Sequence, residues 1–300
     1  MPPMKSILSG TGRLDLWMQG ISLLEPSEIP SRMPLSTMRL VIQMREAEAE
    51  TPEPKVQDMY EKHTMHRLWE RASSGEVYAW FLEFSRLGPS GDYVLKSREG
   101  HNMTAALLRY VNKKLTETET PKPNILYGYY YSSLGIANHS EIPSWETNEG
   151  KAISDFGLFY PFLVVKIQGH VSKTTGRCMY KATNECMAAS SIGARMVDKM
   201  NRRLVQRNKE GKCKTLNSSV FSITLNGAVA CVYITYAWDE NNEHVCSIGS
   251  FLLEDAPHYH KFFAIVQEII RWGTTERLED IREAISIIQK TGPSWYPRYQ

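Results

Sequence analysis

Apolar and polar positions follow a strand-like pattern in the middle and the second half of the chain. Ile125 to Tyr131 is rich in β-forming residues, and Phe156 to Ile167 is apolar almost throughout, which predicts a central strand covered on both faces. Phe221 to Leu225 and Val229 to Ala237 flank the dipeptide Asn226-Gly227. These runs predict a hairpin closed by a type I′ turn. A further strand is predicted at 245–253.

Helical periodicity predicts the remaining elements. In the longest one, Ile192, Met196, Met200 and Leu204 recur every four residues and form a core-facing stripe. Gly273 fits a stop between two closing helices. The run from Val77 to Phe84 leaves strand and helix open. The predicted helices are 56–73, 103–115, 179–208, 257–272 and 277–290.

This order of elements predicts an α+β, or mixed α/β, protein with one central mixed sheet flanked by helices. Residues 1–55 are rich in Pro, Met and Ser, and we expect a poorly ordered N-terminal arm there. The folded domain is predicted to span residues 56–292, followed by a tail over 293–300. A short strand or an isolated helical turn over Arg39 to Met44 is expected inside the arm.

Composition narrows the class of protein. The chain has 300 residues, of which 42% are hydrophobic, and 35 basic residues stand against 33 acidic ones. This apolar fraction excludes a wholly disordered chain, and the net charge of +2 excludes a strongly basic tail protein. Five Cys without tight spacing argue against a disulfide scaffold. No apolar run approaches the ~20 residues that span a bilayer, and no secretory signal is evident. We therefore expect an intracellular protein, cytoplasmic or nuclear, that does not bind a membrane.

Five short segments carry a resemblance to a known family. They are Pro121–Gly128, Phe156–Gln168, Ala182–Cys186, the hairpin that begins at Phe221, and Ile269–Gly273. On these segments the chain resembles a family of fungal proteins in the PD-(D/E)XK nuclease-like superfamily. The resemblance implies a restriction-endonuclease-like core, built as a helix, three antiparallel strands, a helix and a further strand.

Active members of this superfamily place an Asp on one strand and Glu-x-Lys or Asp-x-Lys on the next. The carboxylates hold a divalent cation, which activates water and stabilises charge at the scissile phosphate. Here Asn124 stands where the family often has the first Asp, and Lys166 and Gln168 stand where it often has Glu and Lys. Lys166 would bring a positive charge to the position of the metal, and Gln168 cannot supply the ammonium. The resemblance thus implies a degenerate site without a metal or any other cofactor.

Two other carboxylates could restore a metal site. Asp155 precedes Lys166 by eleven residues, and Glu185 lies on the following helix, to which catalytic carboxylates migrate in some members of the superfamily. The alternative is structural: Asp155 as a solvated acid that leads the strand, and Glu185 as an acid on the surface or in the N-terminal turn of the helix. A magnesium or manganese ion is expected only if Asp155 and Glu185 form the site.

A basic stripe follows the predicted long helix. Arg195, Lys199, Arg202 and Arg203 share one face at i, i+4, i+7 and i+8. Such a stripe could contact phosphates of a nucleic acid, or it could be a solvated helix face.

The sequence therefore predicts a catalytically inactive, nuclease-like protein that acts by binding a nucleic acid or a protein partner. The alternative is an active, metal-dependent nuclease that hydrolyses phosphodiesters with Asp155 and Glu185. The oligomeric state is left open.

Overall fold

The computed structural model describes residues 16, 21–24, 33–47, 54–65, 73–86, 94–96, 121–130, 132–135, 158–168, 178–207 and 214–291. Its helices are α1 (Leu35–Glu46), α2 (Pro54–Met65), α3 (Ser74–Arg86), α4 (Cys178–Arg207), α5 (Ala256–Thr274) and α6 (Glu276–Thr291). Its strands are β1 (Ile21–Leu23), β2 (Val94–Lys96), β3 (Ile125–Tyr129), β4 (Phe159–Ile167), β5 (Val220–Leu225), β6 (Val229–Ala237) and β7 (Glu243–Leu252).

The strands form one mixed sheet in the order β1-β7-β6-β5-β4-β3-β2. Strands β2, β3 and β4 are antiparallel neighbours, and β4 pairs in parallel with β5. Helix α4 forms the crossover connection between β4 and β5. A parallel pair needs such a long connection, whereas β5, β6 and β7 follow one another as antiparallel hairpins. The predicted α+β class and the mixed sheet flanked by helices are confirmed.

Helices cover both faces of the sheet. Val220 faces α4, because a Cβ on Gly193 of that helix would come within 3.1 Å of the Val220 side chain. Its neighbour Phe221 makes an edge contact with Trp272 of α5, with ring centroids 5.3 Å apart. Successive strand residues point to opposite faces, so α4 and α5 lie on opposite sides of β5. This double cover explains why β4 and β5 are almost wholly buried.

The N-terminal arm differs from the prediction where it is described. Residues 35–46 form helix α1, in which Leu40, Val41 and Met44 are buried, and Gln43 Nε2 donates to Glu268 Oε1 of α5 at 2.5 Å. Strand β1 adds to the edge of β7. These pieces of the arm are ordered because their apolar residues join the main core. Residues 1–15, 17–20, 25–32 and 48–53, the helix predicted at 103–115 and the tail 293–300 lie outside the described residues.

The hairpin turn also differs from the prediction. A type I′ turn requires positive φ at both central residues, but Gly227 has φ of 84° and the non-glycine residues of this turn do not have positive φ. Asn226 instead precedes the two central residues, and its Oδ1 accepts from the N–H groups of Ala228 and Val229 at 3.1 and 2.9 Å. Positive φ at the first central residue alone is the pattern of a type II′ turn.

Candidate functional site

The site that the sequence singles out lies where β4 ends beneath helix α4. Lys166 Nζ lies 2.5 Å from Glu185 Oε2, and the two side chains are 15% and 6% exposed. The ammonium and the carboxylate thus form an ion pair that is largely shielded from water. Glu185 is therefore not the surface acid of the structural alternative, because it is buried against the sheet.

A second oxygen holds the same ammonium. Lys166 Nζ donates to the carbonyl oxygen of Lys122 at 2.7 Å. The cation thus sits between a carboxylate from α4 and a carbonyl from the segment that leads into β3. Carboxylate and carbonyl oxygens are also the ligands that hard divalent cations prefer. In this chain these oxygens surround the ammonium of Lys166 instead of a metal ion.

Asn124 has a structural use at this end of the sheet. Its Oδ1 accepts from the N–H of Ile167 at 2.8 Å, and its own N–H donates to the carbonyl of Val165 at 2.9 Å. Asn124 therefore continues the pairing of β3 with β4 beyond the register pair of Ile125 and Val165. Gln168 continues β4 on the other side, since its N–H donates to the carbonyl of Leu225 on β5 at 2.8 Å. Asp155 lies outside the described residues.

The floor of the site is polar and buried. Thr224 on β5 is in register with Lys166, and Ser222 is in register with Val164. Both are fully buried, and their hydroxyl oxygens have no hydrogen-bond partner within the described part of the chain. Cys186, next to Glu185, donates from Sγ to the carbonyl of Ile223 at 3.4 Å. Burial, followed by the charge of Glu185, raises the pKa of the Cys186 thiol above its usual range.

The donors of the described site do not form a metal centre. Within the ranges that the structure describes, no three His, Cys, Asp or Glu side chains come together in a way that could hold a metal ion. Among the described residues, Glu185 brings a carboxylate to this end of β4, and its charge is balanced by Lys166. Divalent cations would have to displace an ammonium that has two oxygen partners.

The four residues of the predicted basic stripe have different surroundings. Arg195 binds the carboxylate of Glu243 on β7 with Nε and Nη2, and Nη2 lies 2.5 Å from Oε2. Glu243 is wholly buried and Arg195 is 14% exposed. Burial raises the pKa of the Glu243 carboxyl, and the bonds from Arg195 act in the opposite direction. Arg195 is thus an internal partner of the sheet rather than part of an open stripe.

Arg202 has surface partners, and Lys199 and Arg203 lie beside it. Arg202 Nη2 lies 2.6 Å from Asp198 Oδ2 and Arg202 Nη1 lies 3.3 Å from Glu240 Oε1, with 40% of the Arg202 side chain exposed. Lys199 and Arg203 are half-buried. Burial and the charges of Arg203 and Arg202 lower the pKa of Lys199 to about 8. Positive charge is therefore concentrated at this end of α4.

Trp238, which was not among the residues predicted from the sequence, lies beside this cluster. Trp238 follows β6 directly, is 47% exposed, and stacks on His244 with ring centroids 5.4 Å apart and planes 24° from parallel. Glu240, the surface partner of Arg202, lies two residues further in the same turn. An aromatic residue between a strand and the polar turn Asp239-Glu240-Asn241-Asn242 was the signal that could have revealed it.

Comparison with curated proteins gives no match. Among the described residues, none of the helices combines the length and the apolar character needed to cross a bilayer. A family model described as Domain of unknown function (DUF7924) matches residues 40–285, more than four-fifths of the chain. The match begins within α1 and ends within α6, so it includes every strand from β2 to β7. The chain therefore belongs to the DUF7924 family.

Proposed function

We propose that this chain is a catalytically silent relative of the PD-(D/E)XK nucleases and that it acts by binding. Its order of elements supports the relationship. Helix α3 precedes the antiparallel strands β2, β3 and β4, and helix α4 then leads to β5. This is the series of a helix, three antiparallel strands, a helix and a further strand that the resemblance implies.

The ion pair between Lys166 and Glu185 carries the proposal of silence. In an active member the end of the second motif strand supplies a carboxylate to a divalent cation, whereas here it supplies an ammonium. That ammonium lies 2.5 Å from Glu185 and 2.7 Å from the Lys122 carbonyl. Like charges close together in a partly buried site repel strongly, so a metal ion beside Lys166 is disfavoured.

The hydrogen bonds of Asn124 also support the proposal, because they give the residue at the first motif position a structural role. Its amide oxygen accepts from the backbone of Ile167, and an Asn side chain brings no negative charge. A neutral amide is a weaker ligand for magnesium or manganese than a carboxylate. Phosphodiester hydrolysis would then lack both the cation and the water that the cation activates.

The direct test is incubation of the full chain with plasmid DNA and with single-stranded DNA and RNA in magnesium or manganese. We expect no cleavage, and we expect titration calorimetry with manganese to show no binding. The rival is the active nuclease built from Asp155 and Glu185. Cleavage that is lost in both Asp155→Ala and Glu185→Gln, but kept in the exposed-site control Glu254→Gln, would establish that rival.

A further inference from the structure

Trp238 and the basic end of α4 lie on the same side of the molecule. The turn Asp239–Asn242 runs along α4, because Arg195 Nη2 donates to the Asn241 carbonyl at 3.5 Å and Arg202 pairs with Glu240. Trp238 is at the base of that turn. The turn is held in shape by Asp239 Oδ1, which accepts from the N–H groups of Asn241 and Asn242 at 2.8 and 3.0 Å.

The acidic groups that the structure describes on this surface each have a partner within the protein. Asp198 and Glu240 bind Arg202, Glu243 binds Arg195, and Asp239 binds the amides of its own turn. Arg195 is buried in its pair with Glu243, so it cannot turn outward. The pairs of Arg202 are partly solvent-exposed, and pairs at the surface are weak enough for a phosphate to replace them. Lys199 and Arg203 flank Arg202 on α4 and are half-buried, and we expect these three residues to supply the cationic contacts to a ligand.

The exposed indole supplies a second kind of contact. His244, which is buried, supports one face of the Trp238 ring. A tryptophan fixed in this way is a platform on which a base can stack, and stacking tolerates every base because each has a π-face. Flat, exposed aromatic groups beside cations are the usual combination in sites for single-stranded nucleic acids.

We infer that Trp238, with Lys199, Arg202 and Arg203, forms a binding site for single-stranded nucleic acid. A base stacks on Trp238 while the phosphates on either side contact the cations of α4. This inference rests on the proposed binding role and names its ligand class and its surface. Burial is the main cause of the lowered pKa of Lys199 and the charges of Arg203 and Arg202 add to it, so a phosphate beside the three cations would relieve part of their repulsion.

Fluorescence anisotropy of a labelled oligothymidylate of about 20 nucleotides tests the inference on the full chain. Trp238→Ala should weaken binding by about fivefold or more, whereas Trp238→Phe, which keeps a ring on His244, should retain most of it. Lys199→Gln/Arg203→Gln should lower the slope of log Kd against log salt by about 1.4, since each single-strand phosphate contact contributes about 0.7.

A charge-matched control is Lys55→Gln/Lys290→Gln, which removes two exposed lysines from α2 and α6. Its salt slope should equal that of the unsubstituted chain. If Trp238→Ala binds as tightly as the unsubstituted chain, or if the control lowers the slope as much as the α4 pair, the inference is wrong. Should Trp238→Ala fail to fold by circular dichroism, Trp238→Phe and the charge variants decide alone.

The two proposals fail separately in this experiment. An oligonucleotide that is cut in magnesium contradicts the silent site but leaves the Trp238 surface in place. An oligonucleotide that does not bind contradicts the Trp238 surface but not the ion pair between Lys166 and Glu185. Equal affinity for duplex and single strand, unchanged by Trp238→Ala, would show that stacking plays no part.

Discussion

Lys166 on β4 and Glu185 on α4 form an ion pair of 2.5 Å that ties the crossover helix to the strand before it. Neither charge has much access to water. Removal of one partner leaves the other as a charge without compensation in a partly buried site, which typically costs about 3–5 kcal/mol. Replacement of both by groups of similar size avoids that cost.

A double-mutant cycle measures this relationship. We expect Lys166→Met and Glu185→Gln each to lower the free energy of unfolding by a few kcal/mol, and Lys166→Met/Glu185→Gln to lower it by clearly less than the sum. Urea denaturation monitored by circular dichroism gives the four values. Lys62→Met and Asp58→Gln, which break an exposed pair on α2, serve as the matched control and should change little. Additive losses at Lys166 and Glu185 would show that the pair contributes no coupling energy.

A second pair of variants distinguishes the buried residue of the basic stripe, Arg195, from the surface residue Arg202. Arg195→Met leaves the wholly buried carboxylate of Glu243 without its partner, so we expect a loss of about 3–5 kcal/mol of unfolding free energy. Arg202→Met breaks only surface pairs, and we expect a loss below about 1 kcal/mol. Thermal unfolding of both variants is the measurement. Similar losses in the two variants would contradict the division of the stripe into an internal and a surface part.

Part of this fold could be read from the sequence because its signals are local. The apolar run of β4, the stripe of α4 and the hairpin at Asn226-Gly227 were predicted at nearly their observed positions. The segment over Val77 to Phe84 stayed open between strand and helix, since short apolar runs fit both. It forms helix α3, whose aromatic residues pack on α5: Phe84 stacks with Phe262 at 5.3 Å. Tertiary packing against α5 therefore favours the helical conformation of this segment.

The candidate site was harder to predict, because it depends on how a helix is rotated above a sheet. The sequence marked Lys166 and Glu185 separately, one as an obstacle to metal and the other as a replacement ligand. Nothing local shows that nineteen residues further along the chain the carboxylate returns to the ammonium. The same holds for Arg277, which looks like a surface residue of α6. It is buried, and its guanidinium donates to the carbonyls of Ser219 and Pro161 at 2.5 and 3.3 Å.

His63 gives the fold a dependence on pH. Its Nε2 donates to the Gly227 carbonyl at 2.9 Å, which joins α2 to the turn between β5 and β6. Burial lowers the pKa of this imidazole to about 4, against about 6.5 in the unfolded chain. Between these two values the unfolded chain binds the extra proton and the folded chain does not. Stability is therefore fully present above pH 6.5 and is lost progressively as the pH falls towards 4.

We expect His63 to account for up to roughly 3 kcal/mol of this loss. Free energies of unfolding at several pH values, measured for the unsubstituted chain and for His63→Gln, should show a shallower slope between pH 4 and 6.5 in the variant. His258→Gln, at an exposed position of α5, controls for the general removal of a histidine. Identical slopes in the unsubstituted chain and His63→Gln would show that other groups cause the dependence.

Gly273 allows α5 to pack closely against β4, a role that its position in the sequence did not reveal. The sequence placed it at a helix stop, but α5 continues to Thr274, and the Gly273 carbonyl accepts from the Tyr129 hydroxyl at 2.5 Å. A Cβ at this position would lie 2.3 Å from two ring carbons of Phe162 on β4. Glycine is therefore needed for the close approach of α5 to the sheet, and a methyl group would force the Phe162 ring to move.

Gly273→Ala should accordingly lower the free energy of unfolding by about 1–3 kcal/mol, the usual cost of overpacking a core. Gly75→Ala is the matched control, because Gly75 is also helical but its added Cβ would have no neighbour nearer than 3.9 Å. There the substitution should stabilise the chain slightly, by about 0.5–1 kcal/mol, through its effect on the unfolded state. Denaturant unfolding compares the two variants. If Gly273→Ala were as stable as Gly75→Ala, the contact between α5 and Phe162 would have room for a methyl group, and the glycine would have no packing role.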